Sequence, residues 1–70
     1  MKELIGKRVE IYYRHKDCFI YEGLVKNMED GLVYLVSVVT NERSMIADQV
    51  INTTCPDFVR FEVVDSDRLL

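Results

Sequence analysis

Apolar and polar residues alternate along much of the chain with a period of two. From Lys7 onward, Val9, Ile11 and Tyr13 interleave with Arg8, Glu10, Tyr12 and Arg14, which predicts a half-buried β-strand. His15-Lys16-Asp17 reads as a polar turn. The alternation resumes at Cys18 and runs to Lys26, with Phe19, Tyr21, Gly23 and Val25 on one face. A glycine inside a strand has no side chain to pack, so Gly23 predicts a sharp bend or a close backbone approach, as a small barrel requires. Asn27 to Gly31 reads as the next turn, centred on Glu29-Asp30-Gly31. Leu32 to Val39 is almost continuously apolar and rich in valine. Such a run fits a strand covered on both faces, or one lying in a subunit interface.

The second half is more finely divided. Thr40 to Arg43 is a turn, Ser44 to Ala47 a short strand, Asp48-Gln49 a polar corner, and Val50 to Thr54 another short strand. Pro56 lacks an N–H, so Cys55-Pro56-Asp57 ends that segment. Phe58 to Val64 is a last strand, with Phe58, Arg60 and Glu62 on one face and Val59, Phe61 and Val63 on the other. Residues 65–70 form a charged tail ending in two leucines, and Met1 to Ile5 predicts a single helical turn that Gly6 would end. Five or six short antiparallel strands at close spacing, with no long helix and no repeat, predict a small all-β barrel or sandwich, and the bend expected at Gly23 points to a strongly bent barrel. Within one domain, residues 1–6 are the N-terminal turn, 7–54 the barrel, 58–64 an added strand and 65–70 a tail.

Composition supports a folded domain and narrows the function. The chain has 70 residues, 49% of them hydrophobic and 30% charged, which is a globular rather than a disordered balance. A chain this short buries only roughly 60% of the surface its unfolded form exposes, so it gains from a partner. It is too small to hide Leu32–Val39, Phe58–Val64 and the terminal leucines in one core, and leftover apolar surface on a small domain marks an interface. Strand addition between copies would also satisfy edge backbone groups. The competing reading is a monomer with an unusually full core.

The net charge of −3 argues against a sequence-blind phosphate binder, which needs excess Lys and Arg. The excess acid is uneven, however. Lys7, Arg8, Arg14 and Lys16 make the first quarter basic, and Asp57, Glu62, Asp65 and Asp67 make the end acidic. No apolar run approaches the ~20 residues of a membrane span, and the charged N-terminus does not resemble a signal peptide, so a cytoplasmic location is expected. Cys18 and Cys55 could pair, but two reduced, packed cysteines are the simpler reading for that compartment.

Candidate chemistry is sparse. No CxxC or Cys/His cluster exists and His15 is the single histidine, so no metal or other cofactor is expected. Cys18 beside His15 lacks a third group to orient the pair, and no triad or phosphate-cradling glycine loop is present. An enzyme is therefore not expected. Adjacent acids before a glycine, as in Glu29-Asp30-Gly31, are usually a solvated turn. Tyr12, on the face of Arg8 and Arg14 and followed by His15 and Lys16, could stack an unpaired base beside phosphate-binding cations. The simpler reading packs Tyr12 against the N-terminal turn or a partner subunit. Arg43 is a second isolated cation of this kind.

The order of elements resembles a known family. A short N-terminal turn followed by Leu4-Ile5-Gly6-Lys7-Arg8-Val9-Glu10-Ile11, Phe19-Ile20-Tyr21-Glu22-Gly23-Leu24-Val25 and Met28-Glu29-Asp30-Gly31-Leu32-Val33-Tyr34-Leu35 resembles the first motif of the Sm and Sm-like (LSm) proteins, bacterial Hfq included. Met45-Ile46-Ala47-Asp48-Gln49-Val50-Ile51 is similar to the end of the second motif. The likeness covers Leu4 to Thr54. It implies a bent, SH3-like five-stranded barrel that assembles into homo-oligomeric rings of about five to eight subunits through paired strand edges and binds single-stranded RNA. On that likeness the ring-forming edges would be Ser44, Met45, Ile46 and Ala47, and Val50, Ile51, Asn52 and Thr53 with Thr54. Glu29, Asp30 and Gly31 would lie in one base-contacting loop, with Asp48 and Gln49 in a second. Gly31 stands where the family carries an Asn, Ile46 where it often carries an Arg, and Ala47 where it carries a Gly. The alternative is an SH3-like protein-interaction or oligomerisation module that binds no nucleic acid.

Overall fold

The computed structural model describes residues 2–64. A 3-10 turn at Lys2–Leu4 precedes six strands: β1 Arg8–Tyr13, β2 Tyr21–Glu29, β3 Leu32–Thr40, β4 Met45–Ile46, β5 Gln49–Asn52 and β6 Phe58–Val63. All pairings are antiparallel and belong to one sheet, in the order β4-β3-β2-β1-β6, with β5 also on β3. The sheet is strongly bent and not closed, as a small open barrel. The tail at residues 65–70, like Met1, lies outside the described residues. Among the described residues no helix is long and apolar enough to cross a membrane.

The bend has identifiable causes in β2 and β3. Glu22 pairs with Val39 but Leu24 pairs with Val36, so Gly23 alone faces both Ser37 and Val38. Ser37 takes a positive φ of 52°, the mark of a bulge in a residue with a Cβ. Gly23 makes room for this crossing, since a Cβ there would meet Leu35 Cβ and Val38 Cγ2 at 3.1 Å. A second slip lies between Val25 and Asn27. Because β3 bends, its first half pairs with β5 (Leu32 with Asn52 through Leu35 with Gln49) and its second half with β4 (Val38 with Ile46, Val39 with Met45).

The core lies inside the bend. Val9, Ile11, Val25, Val33, Leu35, Val38 and Ile51 are buried together. They are the alternate residues of their strands, except that the bulge at Ser37 moves the buried position from 37 to Val38, and each contributes about 1.5–3 kcal/mol by leaving water. Leu4, Tyr13, Tyr21, Met28, Ile46, Phe58 and Phe61 pack around them. Phe19 departs from the alternation expected of it: it precedes β2 and places its ring edge against Tyr12. The expected strand at Ser44–Ala47 shrinks to Met45–Ile46, and the turn expected at Asn27–Gly31 narrows to Asp30-Gly31 because β2 runs on to Glu29.

Phe58–Val63, expected as an addition to a complete barrel, forms the sheet's far edge on β1. Both segments expected as separate ring-forming edges, Ser44–Ala47 and Val50–Thr54, instead lie along the same side of β3. The two edges of the sheet are therefore β4 with β5 on one side and β6 on the other.

Candidate functional site

The β2–β3 turn is built by Asp30 and Gly31, with φ of 50° and 80°. Two positive φ values in a two-residue loop are the type I′ pattern, which matches the right-handed twist of the flanking strands. Aspartate tolerates that region better than most residues with a side chain, and glycine enters it without a steric penalty. The turn is held from across the sheet. Thr53 donates both its N–H (2.9 Å) and its hydroxyl (2.7 Å) to the Gly31 carbonyl. Thr54 donates its own N–H (3.0 Å) and hydroxyl (2.6 Å) to Asn52 Oδ1, which fixes the start of the β5–β6 connection.

A cavity of about 360 Å³ opens at this turn. It is lined by Met28, Glu29, Asp30, Gly31, Leu32, Val33 and Thr53. Glu29 and Asp30 are exposed. Among the described residues neither carboxylate takes part in an ion pair or a side-chain hydrogen bond. Of the cavity lining, the residue pattern pointed to Glu29, Asp30 and Gly31. Met28, Leu32 and Val33 read only as strand positions, and Thr53 as an edge residue.

The other candidate residues lie elsewhere. Arg14, His15 and Lys16 are exposed in the β1–β2 connection, beyond the opposite end of β2 from the cavity. The Arg14 N–H donates to the Asp57 carbonyl at 2.7 Å, and His15 adopts a positive φ of 66°. Tyr12 is already engaged: its hydroxyl donates to Glu10 Oε1 at 3.0 Å and the Arg60 guanidinium lies 4.2 Å from its ring centroid. Burial pushes the Tyr12 phenol up from its ordinary value, and the Glu10 hydrogen bond adds to that. Arg43 donates Nη1 to Glu22 Oε1 at 3.2 Å. Arg8 holds the other Glu22 oxygen through Nε and reaches the Ser37 carbonyl through Nη2 at 3.0 Å. This buried carboxylate with two arginines was not legible as a group, since its members come from β1, β2 and the β3–β4 loop.

Asp48 and Gln49 do not reach the β2–β3 turn. Gln49 pairs with Leu35 in the middle of β3 and folds its amide back to donate to the Ala47 carbonyl at 2.9 Å. The connection that does meet the turn is the one that begins at Thr53. Cys18 and Cys55 are both thiols, and Cys18 Sγ accepts from Asn41 Nδ2 at 3.1 Å. Among the described residues no group of three or more His, Cys, Asp or Glu could hold a metal ion.

Ser44, Met45, Ile46 and Ala47, with Val50, Ile51, Asn52 and Thr53, lie along the β4–β5 side. Ile51 is core, whereas Met45 is 78% and Val50 55% exposed. They extend an outer apolar surface onto half-buried Tyr34 and Val39, their cross-strand neighbours. On the β6 side, Val63 sits opposite Val9 on the same face, yet Val63 is 51% exposed and Val9 fully buried.

Comparison of the chain with models of known protein families, with curated proteins and with solved structures returned no match.

Proposed function

We propose that this chain is a non-catalytic assembly module, an Sm-like barrel that closes into a homo-oligomeric ring by adding β6 of one copy to β5 of the next. The carrying observation is the pair of open edges, each with apolar residues left half exposed. Ladder alternation identifies the backbone groups available for pairing. On β5, Thr53 bonds Gly31, so Ile51 and Gln49 continue that ladder and the N–H and C=O groups of Val50 and Asn52 point away from it. On β6, Val64 bonds Arg8, so Glu62 and Arg60 continue inward and Val63 and Phe61 point outward. Antiparallel pairing of these outward groups removes both edges, and it covers Val50, Val63 and their neighbours. A head-to-tail contact of this kind forms a ring when its rotation closes.

Binding of single-stranded RNA, the other property the likeness implies, draws less support. Tyr12 is capped by Arg60 and Arg43 is paired with Glu22. The turn expected to contact bases carries two bare carboxylates, which repel phosphate.

Native mass spectrometry and light scattering test the assembly. One discrete oligomer is expected, and Val50→Pro or Val63→Pro should convert it to a monomer with an unchanged β-type circular dichroism spectrum. Each proline deletes an outward N–H on an edge strand without removing an internal ladder bond. A wild-type monomer at tens of micromolar overturns the reading. Titration with labelled single-stranded RNA over a salt series separates assembly from RNA binding, because phosphate contacts weaken with salt.

A further inference from the structure

We infer that each barrel is completed by its neighbour: the outer face of β5 in one copy continues the inner wall of the next. The inference rests on the head-to-tail pairing proposed above and states which surfaces that pairing joins. Along a strand the in-plane direction of the N–H and C=O groups alternates in step with the side chains. All residues whose backbone points out of an edge therefore carry their side chains on one face. On β5 these residues are Val50 and Asn52, and Val50 lies across from Tyr34 on the outer face. On β6 they are Phe61 and Val63, across from Ile11 and Val9 on the inner face. Residues that exchange backbone hydrogen bonds in an antiparallel pair share a face of the sheet. Joining β5 to β6 thus runs the outer face of one copy into the inner face of the next.

The crossing accounts for two exposures that one chain leaves unexplained. Val63 shares the face of fully buried Val9, yet it is 51% exposed, because among the described residues no strand pairs with the other side of β6. Val50 is 55% exposed on the outer face, with half-buried Tyr34 across from it. One register pairs Val50 with Val63 and Asn52 with Phe61. A shift of two residues one way sets Asn52 against Val59, beside the β1–β6 bulge, and a shift the other way carries Val50 past the end of β6. In the matched register two β-branched side chains lie side by side, a favourable cross-strand pair, and Tyr34 flanks them from the next strand. Each half-exposed valine covers the other.

Pairing of like edges about a two-fold axis achieves less. Joining β5 to β5 brings outer face to outer face and leaves Val63 bare, and joining β6 to β6 brings inner face to inner face and leaves Val50 bare. Only the unlike pairing covers both valines with one kind of contact.

The test is disulfide trapping in the full-length chain with Cys18→Ser and Cys55→Ser. Val50→Cys and Val63→Cys are made separately, unfolded together, refolded and oxidised. Residues directly paired in this way lie about 5.5 Å apart at Cα, within the span of a disulfide. A linked dimer should form from the mixture, and neither variant alone should link to itself. Self-linking of either variant alone overturns the inference in favour of like edges meeting. No link in the mixture, where native mass spectrometry still shows a discrete oligomer, overturns it and leaves assembly through another surface. A monomer removes the assembly and the inference together. In wild type assembled from methyl-labelled and unlabelled chains, contacts between the Val50 and Val63 methyls should cross between copies, and an oligomer without them overturns the inference with no substitution involved.

Discussion

The two ends of the β2–β3 hairpin handle negative charge in opposite ways. At the open end Glu22 is buried beneath Arg8 and Arg43, and the Arg8 guanidinium also holds the bulged Ser37 carbonyl. At the turn Glu29 and Asp30 are exposed and take part in no ion pair among the described residues. Geometry explains the difference. The bulge at Ser37 and the close crossing at Gly23 draw three segments together, so a carboxylate there must be neutralised internally. The turn projects from the sheet and faces water, so its carboxylates persist without partners. Charge at the first end is paired across the bend, and charge at the second faces water.

The sharpest way to break this contrast is Glu22→Gln. The substitution keeps the volume and leaves Arg8, only 20% exposed, without its anion. Removing one partner of a buried pair costs about 3–5 kcal/mol. Arg43 is 69% exposed and returns to water readily, which places the expected loss near the lower end, about 3 kcal/mol. That is a large share of the stability of a small domain and should appear as a marked drop in the urea midpoint. A change below about 1 kcal/mol would mean that Glu22 is held no more tightly than a surface carboxylate, and the contrast would fail.

Gly23→Ala probes the same end through packing rather than charge. The added methyl meets Leu35 Cβ and Val38 Cγ2 at 3.1 Å, and both belong to buried side chains. Neighbours must shift by a few tenths of an ångström, and overpacking of this kind costs about 1–3 kcal/mol. Thermal unfolding should show a loss of about 2 kcal/mol, with the amides of Ser37 and Val38 moving most in the NMR spectrum. Unchanged stability would show that β3 can slide past β2, and that the bulge does not depend on the missing side chain.

Much of the fold was legible because it is written locally. Val9, Ile11 and Tyr13 announce β1 by alternation, Gly23 announces the bend, and Asp30-Gly31 announces the hairpin. Features fixed by distant partners were not. Nothing near Ser37 marks it as a bulge, since the slip is set by what Gly23 admits across the sheet. Nothing near Phe58–Val63 says that it pairs with β1 rather than with β5. Glu22 reads as one more polar position until Arg8 and Arg43 arrive from 14 and 21 residues away. The cavity was half legible. Met28 to Val33 are contiguous in sequence, but Thr53 joins the lining from a distance, and its hydrogen bonds to Gly31 span 22 residues.

Glu29→Gln/Asp30→Asn completes the contrast from the turn, with the smallest expected effect. Asparagine tolerates the left-handed conformation that Asp30 adopts at a φ of 50°, and glutamine keeps the length of Glu29, so the type I′ turn survives. Neither carboxylate is neutralised by a cation among the described residues, so no pair is broken. Stability should change by no more than about 0.5 kcal/mol, read from the same urea titration as Glu22→Gln. Like charges at adjacent positions repel, so the direction of any change should be stabilising. A loss comparable with that of Glu22→Gln would mean that these carboxylates hold the turn together, and the contrast between the two ends would fail.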